Sequence, residues 1–186
     1  MDMLDTVFSQ IERLAAKNGP LIAAIDGRCA AGKTTLAEEL RKAIPCNVFH
    51  MDDFFLRAEQ RTRERYLECG GNSDRERFLS EVLLPTVLGE DVLYAPFDCR
   101  TMSQKPAEKI KPAHINIVEG TYSAHPDLWK YYDLHIFLTV SPEKQLERIA
   151  RRGGDIEAFR TRWIPLEENY FSGFDIEKRC ELRFET

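Results

Sequence analysis

Nine residues limit the folds open to this chain more than any others. Residues 27–35 read Gly-Arg-Cys-Ala-Ala-Gly-Lys-Thr-Thr, a full match to the phosphate-loop pattern G-x-x-x-x-G-K-[ST]. Before them, Pro20-Leu-Ile-Ala-Ala-Ile-Asp26 is a short apolar run suited to a buried parallel strand. After them, Leu36, Leu40 and Ile44 fall four apart on one helical face. Strand, glycine loop and helix N-terminus therefore occur in the order a polyphosphate cradle needs. Gly27 and Gly32 let backbone N–H groups turn inward, and the helix N-terminus adds positive potential. Lys33 is placed to reach the β- and γ-phosphates and the Thr34 hydroxyl to bind Mg²⁺. Arg28, Cys29, Ala30, Ala31 and Thr35 complete the loop, Cys29 through its backbone N–H. The alternative, a chance glycine turn, does not explain the pattern on both flanks. The chain is expected to bind a nucleoside triphosphate.

A length of 186 residues fits one domain with a sizeable core, expected to span 1–186. The net charge of −5 argues against a protein that tracks a nucleic-acid backbone. No apolar run has the length of a membrane span, and the N-terminus lacks a basic-then-apolar signal segment. The five cysteines (29, 46, 69, 99 and 180) are odd in number and form no C-x-x-C pair. Reduced thiols in a cytoplasmic protein are the natural reading.

Leu4, Val7, Phe8, Ile11, Leu14 and Ala15 mark a helix that Gly19-Pro20 ends. Further strands are expected at Cys46–His50, His114–Val118, Asp133–Val140 and Cys180–Phe184. Residues 56–72 read as a loop or short irregular helix, and Asp74 as the cap of the next helix. Val92–Phe97 and Glu108–Lys111 look like two short strands off the main sheet, around a polar connection. Alternating strands and helices of this kind imply an α/β fold, a parallel sheet covered on both faces.

Three features narrow the chemistry. Asp52-Asp53-Phe54-Phe55 follows the second strand, whose C-terminal end shares a rim with the phosphate loop in a doubly wound sheet. A carboxylate there can accept a proton from an attacking hydroxyl or help hold Mg²⁺; a solvated acidic turn is the plainer alternative. Ile115-Asn-Ile-Val-Glu119-Gly120 has the form of a Walker-B-type strand delivering Glu119 to a metal, and Gly120 permits close backbone approach beside it. Arg148, Arg151, Arg152, Arg160 and Arg162 flank Gly153-Gly154. They suit a lid over about 151–163 that brings positive charge onto a transferring phosphoryl group, and equally a charged helix surface. His50 is expected to pack, since neighbouring strand residues alternate faces. Trp129, Tyr131 and Tyr132 suit the core or a contact between copies, which leaves a homo-oligomer open.

Together these segments resemble the uridine kinase and phosphoribulokinase family of P-loop kinases, which includes nicotinamide riboside kinases. The resemblance runs from Ile22 to about Phe184 and rests on Asp26–Thr35, Asp52-Asp-Phe-Phe55, Val118-Glu-Gly120 and the arginine-bearing segment. It implies a doubly wound, five-stranded parallel sheet of the P-loop NTPase fold with a small β-hairpin excursion, Mg-ATP as donor and a small hydroxyl compound as acceptor. It further implies Asp52 as catalytic base, Thr34, Glu119 and Asp52 around Mg²⁺, and Lys33 with Arg152 on the transferring group. By the same resemblance Asp74 grips a ribose hydroxyl and Tyr94-Ala-Pro-Phe-Asp98 is the acceptor hairpin. Phe55, Asp74, Phe97, Asp98 and Arg100 would then bind the acceptor. The chain departs from uridine kinases at Thr101-Met102-Ser103, where they carry His, and at Phe97, where they carry Tyr. Trp163-Ile-Pro165 is instead similar to the Trp-Pro segment of nicotinamide riboside kinases.

The reading is a small-molecule kinase acting on a nucleoside-like or otherwise hydroxyl-rich metabolite. The alternative is a degenerate kinase that serves as a non-catalytic ATP-binding regulatory module. Acceptor-dependent ADP release separates the two.

Overall fold

The computed structural model describes residues 2–186. Helix α1 (Met3–Ala15) starts at Asp2, whose side chain accepts from the Asp5 N–H, and leads to strand β1 (Leu21–Gly27). The phosphate loop follows, then α2 (Lys33–Ala43) and β2 (Asn47–His50). Residues 75–88 form one rod, α3, made of Arg75–Phe78, a π-turn at Leu79–Leu83 and Leu84–Leu88. The rod is capped by Asp74, which accepts from the Arg77 N–H. Two antiparallel pairs then project from the main sheet: β3 (Val92–Tyr94) with β6 (Glu108–Ile110), and β4 (Phe97–Asp98) with β5 (Ser103–Gln104). This is the excursion read from the sequence, with one extra, shorter rung.

Strands β7 (Ile115–Glu119), β8 (Leu134–Thr139) and β9 (Leu182–Glu185) complete a five-stranded sheet of order β2-β7-β1-β8-β9, every pair parallel. Helix α4 (Pro142–Arg151) is capped by Ser141. Rod α5 spans residues 156–173 as Ile156–Ala158, a π-turn at Phe159–Trp163, and Ile164–Gly173. Among the described residues no helix is long and apolar enough to cross a membrane.

The central strands are apolar on both faces because both are covered. From β1, Leu21, Ala23 and Ile25 pack with Val7 and Ile11 of α1 and Leu36 and Leu40 of α2. Ile22 and Ala24 point the other way, into a core with Phe78, Val82 and Leu83 of α3 and Tyr170 and Phe171 of α5. Ordinary β-alternation thus fills two separate cores.

Asp26 is the exception in β1, a carboxylate with no solvent exposure. It accepts from the Gly27 N–H (2.6 Å), the Ala124 N–H (2.8 Å) and the Tyr170 hydroxyl (2.8 Å). Burial pushes its pKa up to about 6, against the pull of those bonds and of Lys33. Asp26→Ala would leave three buried donors without an acceptor, at roughly 1–3 kcal/mol each. We expect a loss of about 3 kcal/mol or more in unfolding free energy, read by urea denaturation. A loss under about 1 kcal/mol would contradict the anchoring role.

Candidate active site

The phosphate loop is shaped by backbone that only particular residues tolerate. Gly27 lies at φ 135°, and a Cβ there would stand 1.9 Å from the Leu138 carbonyl oxygen of β8. The next residue completes the contact, since the Arg28 N–H donates to that same oxygen (3.0 Å). Lys33 is buried, and its Nζ donates to the carbonyls of Gly27 (2.7 Å) and Arg28 (3.0 Å) and to the Thr121 hydroxyl (3.2 Å). The ammonium is therefore held at the mouth of the loop rather than sweeping through solvent.

Across from it, Glu119 ends β7 almost fully buried. Its Oε1 accepts from the Thr34 hydroxyl (3.2 Å) and lies 2.5 Å from His50 Nδ1. That contact corrects the expectation for His50. The ring lies in the acidic cluster because β2 and β7 run side by side in register, His50 opposite Glu119. Hydrogen bonding to Glu119 raises the His50 pKa, with further help from the charges of Asp53 and Asp52.

Gly120 sits at φ 133°, and a Cβ there would come within 2.9 Å of the Met51 Cβ and 3.4 Å of Asp52 Oδ1. Its missing side chain lets the turn Met51–Asp53 close over the Glu119 end of β7. Solvent reaches Asp52 through the cleft, but protein crowds its other sides. This burial raises its pKa, with Lys33 opposing and Glu119 and Asp53 reinforcing the shift. Asp53 is turned away, accepting from the Tyr94 hydroxyl (2.6 Å).

These groups share one cleft of about 600 Å³. From the loop and the start of α2, Cys29, Ala30, Gly32, Lys33, Thr34 and Thr35 face it, and Asp52, Phe55, Glu119 and Arg152 join them. The other three loop residues serve the frame. Gly27 packs on β8, Ala31 is in the core, and the Arg28 side chain leaves for Glu168 (2.7 Å), Thr139 (2.7 Å) and Glu177 (3.2 Å).

The acceptor residues expected from the resemblance are not gathered in the same way. Asp74 is 1% exposed and does not line the cleft. Besides capping α3 it holds Arg57 (3.2 Å) and lies 3.7 Å from Arg77. Arg77 in turn stacks on Phe54 (4.2 Å) and donates to the carbonyls of Asp53 and Ala95. Asp74 thus stiffens the turn that carries Asp52, and its carboxylate is turned to these arginines and the helix cap rather than to the cleft. Phe97 is buried, Asp98 accepts from the Arg100 N–H (2.8 Å) within its own turn, and none of Phe97, Asp98 or Arg100 lines the cleft. In their place stand Leu56, Arg61, Tyr66, Asn72, Tyr122 and Trp163. Arg61, Tyr66 and Asn72 lie in the polar stretch 56–72, where no periodicity marked them.

Glu167 was not foreseen either. It lines the cleft from α5, and its Oε2 accepts from the Cys29 N–H of the phosphate loop (3.0 Å). Burial pushes its pKa up to about 7, with Lys33 and the Cys29 bond pulling down and Asp52 pushing up. Beside it the Cys29 thiol is pushed up to about 12, chiefly by burial, and is un-ionised. The arginine segment is helix end and helix start rather than a long loop. Gly153 (φ 72°) follows α4, and Asp155 caps α5 by accepting from the Ala158 N–H (3.1 Å). Arg152 faces the cleft, whereas Arg151 pairs with Glu147 and Arg162 stacks on Tyr66 and Trp163.

Thr34, Glu119 and Asp52 offer the oxygen donors that Mg²⁺ prefers. Among the described residues no three His, Cys, Asp or Glu side chains converge as a complete metal cage. Mg²⁺ fits such an open, oxygen-only set, because it ordinarily keeps water and phosphate oxygens in its shell.

A His50 pKa raised above its unfolded value of 6.5 stabilises the fold fully below pH 6.5, and that contribution is lost as pH rises through the folded pKa. An NMR titration should therefore place the His50 midpoint above 6.5, and Glu119→Gln should lower it. An unchanged midpoint in that variant would show that the Glu119 contact does not carry the shift.

No protein-family model matches this sequence, and no curated protein matches it. Solved structures do. A protein described as a possible uridine kinase from Bacillus stearothermophilus superposes with a TM-score of 0.71, at 21% identity over 99% of this chain and 100% of that one. YFH7 of Saccharomyces cerevisiae, described as a candidate P-loop kinase with a circular permutation, gives 0.66 at 13% identity over 99% and 98%. D-glycerate 3-kinase of Cryptococcus neoformans gives 0.62 at 15% identity over 98% and 93%. The chain has the P-loop kinase fold; at these identities the likeness speaks for the fold alone.

Proposed function

We propose that this P-loop kinase fold is used for ATP- and Mg²⁺-dependent transfer of a γ-phosphoryl group to a hydroxyl of a small, nucleoside-like or otherwise hydroxyl-rich metabolite. One observation carries the reading. A single cleft joins the phosphate loop, the Thr34–Glu119 pair and Asp52 to further walled space beyond them. A pure nucleotide switch has little use for the wall that residues 55–72 add to that cleft. Phe55, Tyr66 and Trp163 give it flat apolar walls, and Asn72, Tyr122 and Arg61 give it polar edges.

In this reading the loop N–H groups and Lys33 hold the phosphates, and Thr34 with Glu119 would hold Mg²⁺. The metal, when bound, offsets the negative charge that phosphoryl transfer concentrates. Asp52 orients the acceptor hydroxyl and takes its proton; its raised pKa brings it nearer to the strength a base needs at neutral pH. Arg152 supplies charge from the α4–α5 junction, where closure would also exclude water.

The acceptor itself is a small alcohol bound among aromatic rings. Met102 and its neighbours lie outside the cleft and offer no side chain to a pyrimidine edge there, so uridine is expected to be a poor substrate. A screen of nucleosides, vitamins and sugars for acceptor-stimulated ADP release tests this. Saturable phosphorylation of uridine at micromolar concentration would restore the plain uridine kinase reading, and no stimulation by any alcohol would favour the regulatory module.

Two variants test the roles. Lys33→Ala should lower turnover by about 10²-fold or more, as loss of a preorganised charge does. Asp52→Asn should cut turnover comparably while changing ATP affinity less than about threefold. Near-normal turnover in either variant would remove that residue from the mechanism.

Arg152→Ala should lower kcat more than it weakens ATP binding, if its charge is used mainly in the transition state. Equal losses in steady-state kinetics and in equilibrium binding would make it a ground-state anchor instead.

A further inference from the structure

The carboxylate of Glu167 occupies a place where an anion-binding loop should meet phosphate. Its Oε2 accepts the Cys29 N–H, one of the donors of the loop, and the side chain belongs to the same cleft wall as Lys33 and Thr34. A triphosphate arriving there would face a like charge in a confined site, a repulsion that low effective dielectric makes costly. One escape, moving the helix away, is obstructed. One residue on, Glu168 grips Arg28 through two bonds (2.7 and 2.9 Å), and three residues on, the Tyr170 hydroxyl is tied to buried Asp26. Helix α5 is thus pinned to the loop and to the end of β1 just after Glu167.

We propose that Glu167 is part of the nucleotide site and enters the complex protonated, its carboxyl hydrogen donated to a phosphate oxygen. This rests on the nucleotide reading above. The balance is simple: one proton comes from solvent on binding and stays on Glu167, and no bond to phosphorus is made or broken. A protonated carboxyl turns a repelling acceptor into a donor, while its carbonyl oxygen can keep the Cys29 N–H.

The surroundings favour Glu167 as the group that takes the proton. Lys33 is already cationic, and the Cys29 thiol and Tyr122 hydroxyl, both raised by burial, are already neutral. Glu168 is held by Arg28, and Asp26 lies behind the helix without solvent access. Asp52 and Glu119 are the other carboxylates facing the cleft; Glu119 is engaged by Thr34 and His50, which leaves Asp52 as the competitor. Glu167 starts with a pKa of about 7 in the free protein, so a modest added negative charge suffices to keep it neutral at and above neutrality.

Calorimetry of Mg-ATP binding in two buffers of different ionisation enthalpy counts the protons. We expect an uptake near one at pH 8.5 in the wild type, about half at pH 7, and affinity falling roughly tenfold per pH unit above 7. Glu167→Gln keeps both an acceptor and a donor without titrating. It should abolish the Glu167-dependent part of the uptake and bind at least tenfold tighter than wild type at pH 8.5. Carbon NMR of the Glu167 carboxyl, with and without ATP, reads the same proton with no substitution should the variant fold poorly. Binding without proton uptake, or equal uptake in Glu167→Gln, overturns the proposal and leaves the kinase reading standing; the second result would assign the proton to Asp52. Failure of wild type and variant to bind ATP from pH 6 to 9 would overturn the nucleotide reading, and this proposal with it.

Discussion

A single buried carboxylate holds the parts of this site in register. Asp26 ends the apolar run of β1, and its two oxygens collect donors from the loop it precedes, from the turn after β7 and from α5. Those three segments supply Lys33, Thr121 and Glu167, which have no contiguity in sequence. An apolar residue at position 26 would suit the core yet leave the three donors unpaired. Burying a carboxylate is costly, and its raised pKa reflects that cost. The bonds it gathers convert that cost into position.

The charge balance within the cleft follows from the same economy of contacts. Asp52, Glu119 and Glu167 face one buried lysine, with Arg152 and Arg61 farther out. Neighbouring carboxylates raise one another's pKa, and burial adds to this. Such a cleft would accept metal and protons readily, which suits the polyanion of the proposed function. Glu119 shares its oxygen with Thr34 on one side and His50 on the other, so a cation arriving there competes with a histidine whose own charge is stabilised by the same group.

The donor half was legible in sequence because it is built from backbone and local spacing. Gly27 and Gly32 announce the loop, Leu36 and Leu40 the helix behind it, and the run to Glu119-Gly120 the metal-side strand. Sheet topology followed, since parallel strands bring all three to one rim. The acceptor half was not legible for a different reason. Its walls come from irregular segments, where a residue's use depends on which partner reaches it first. Asp74 looks free in sequence, but the N-terminus of α3 and the guanidinium of Arg57 claim it. Asp98 is likewise claimed by its own turn. His50 and Glu167 were missed because cross-strand register and helix phase bring them in, and neither leaves a motif. The one signal available for Glu167 was its doublet with Glu168, set against the doublet Arg28-Cys29, and a pairing of that kind is visible only once α5 is placed.

The phase of α5 has its own cause. Pro165 lacks an N–H, and in a regular helix its ring would press on the carbonyl of Thr161, four residues earlier. The π-turn Phe159–Trp163 inserts one residue into the rod just before that proline, and the same arrangement recurs in α3, where Leu79–Leu83 precedes Pro85. A π-turn opens the ladder where the proline would otherwise clash. It also shifts the register of everything that follows. Phe159 and Trp163 lie within the wide turn and Glu167 beyond it, yet all three line the cleft. Three and four residues beyond Glu167, and so on the same face of the rod, Tyr170 and Phe171 remain in the core. Without the added residue, Phe159 and the carboxylate on the phosphate loop would be rotated relative to each other by about 100°, the angle one helical residue subtends. Trp163 shares a face with Glu167 by ordinary i,i+4 spacing, and the proline with its π-turn determines whether Phe159 can join them at one cleft.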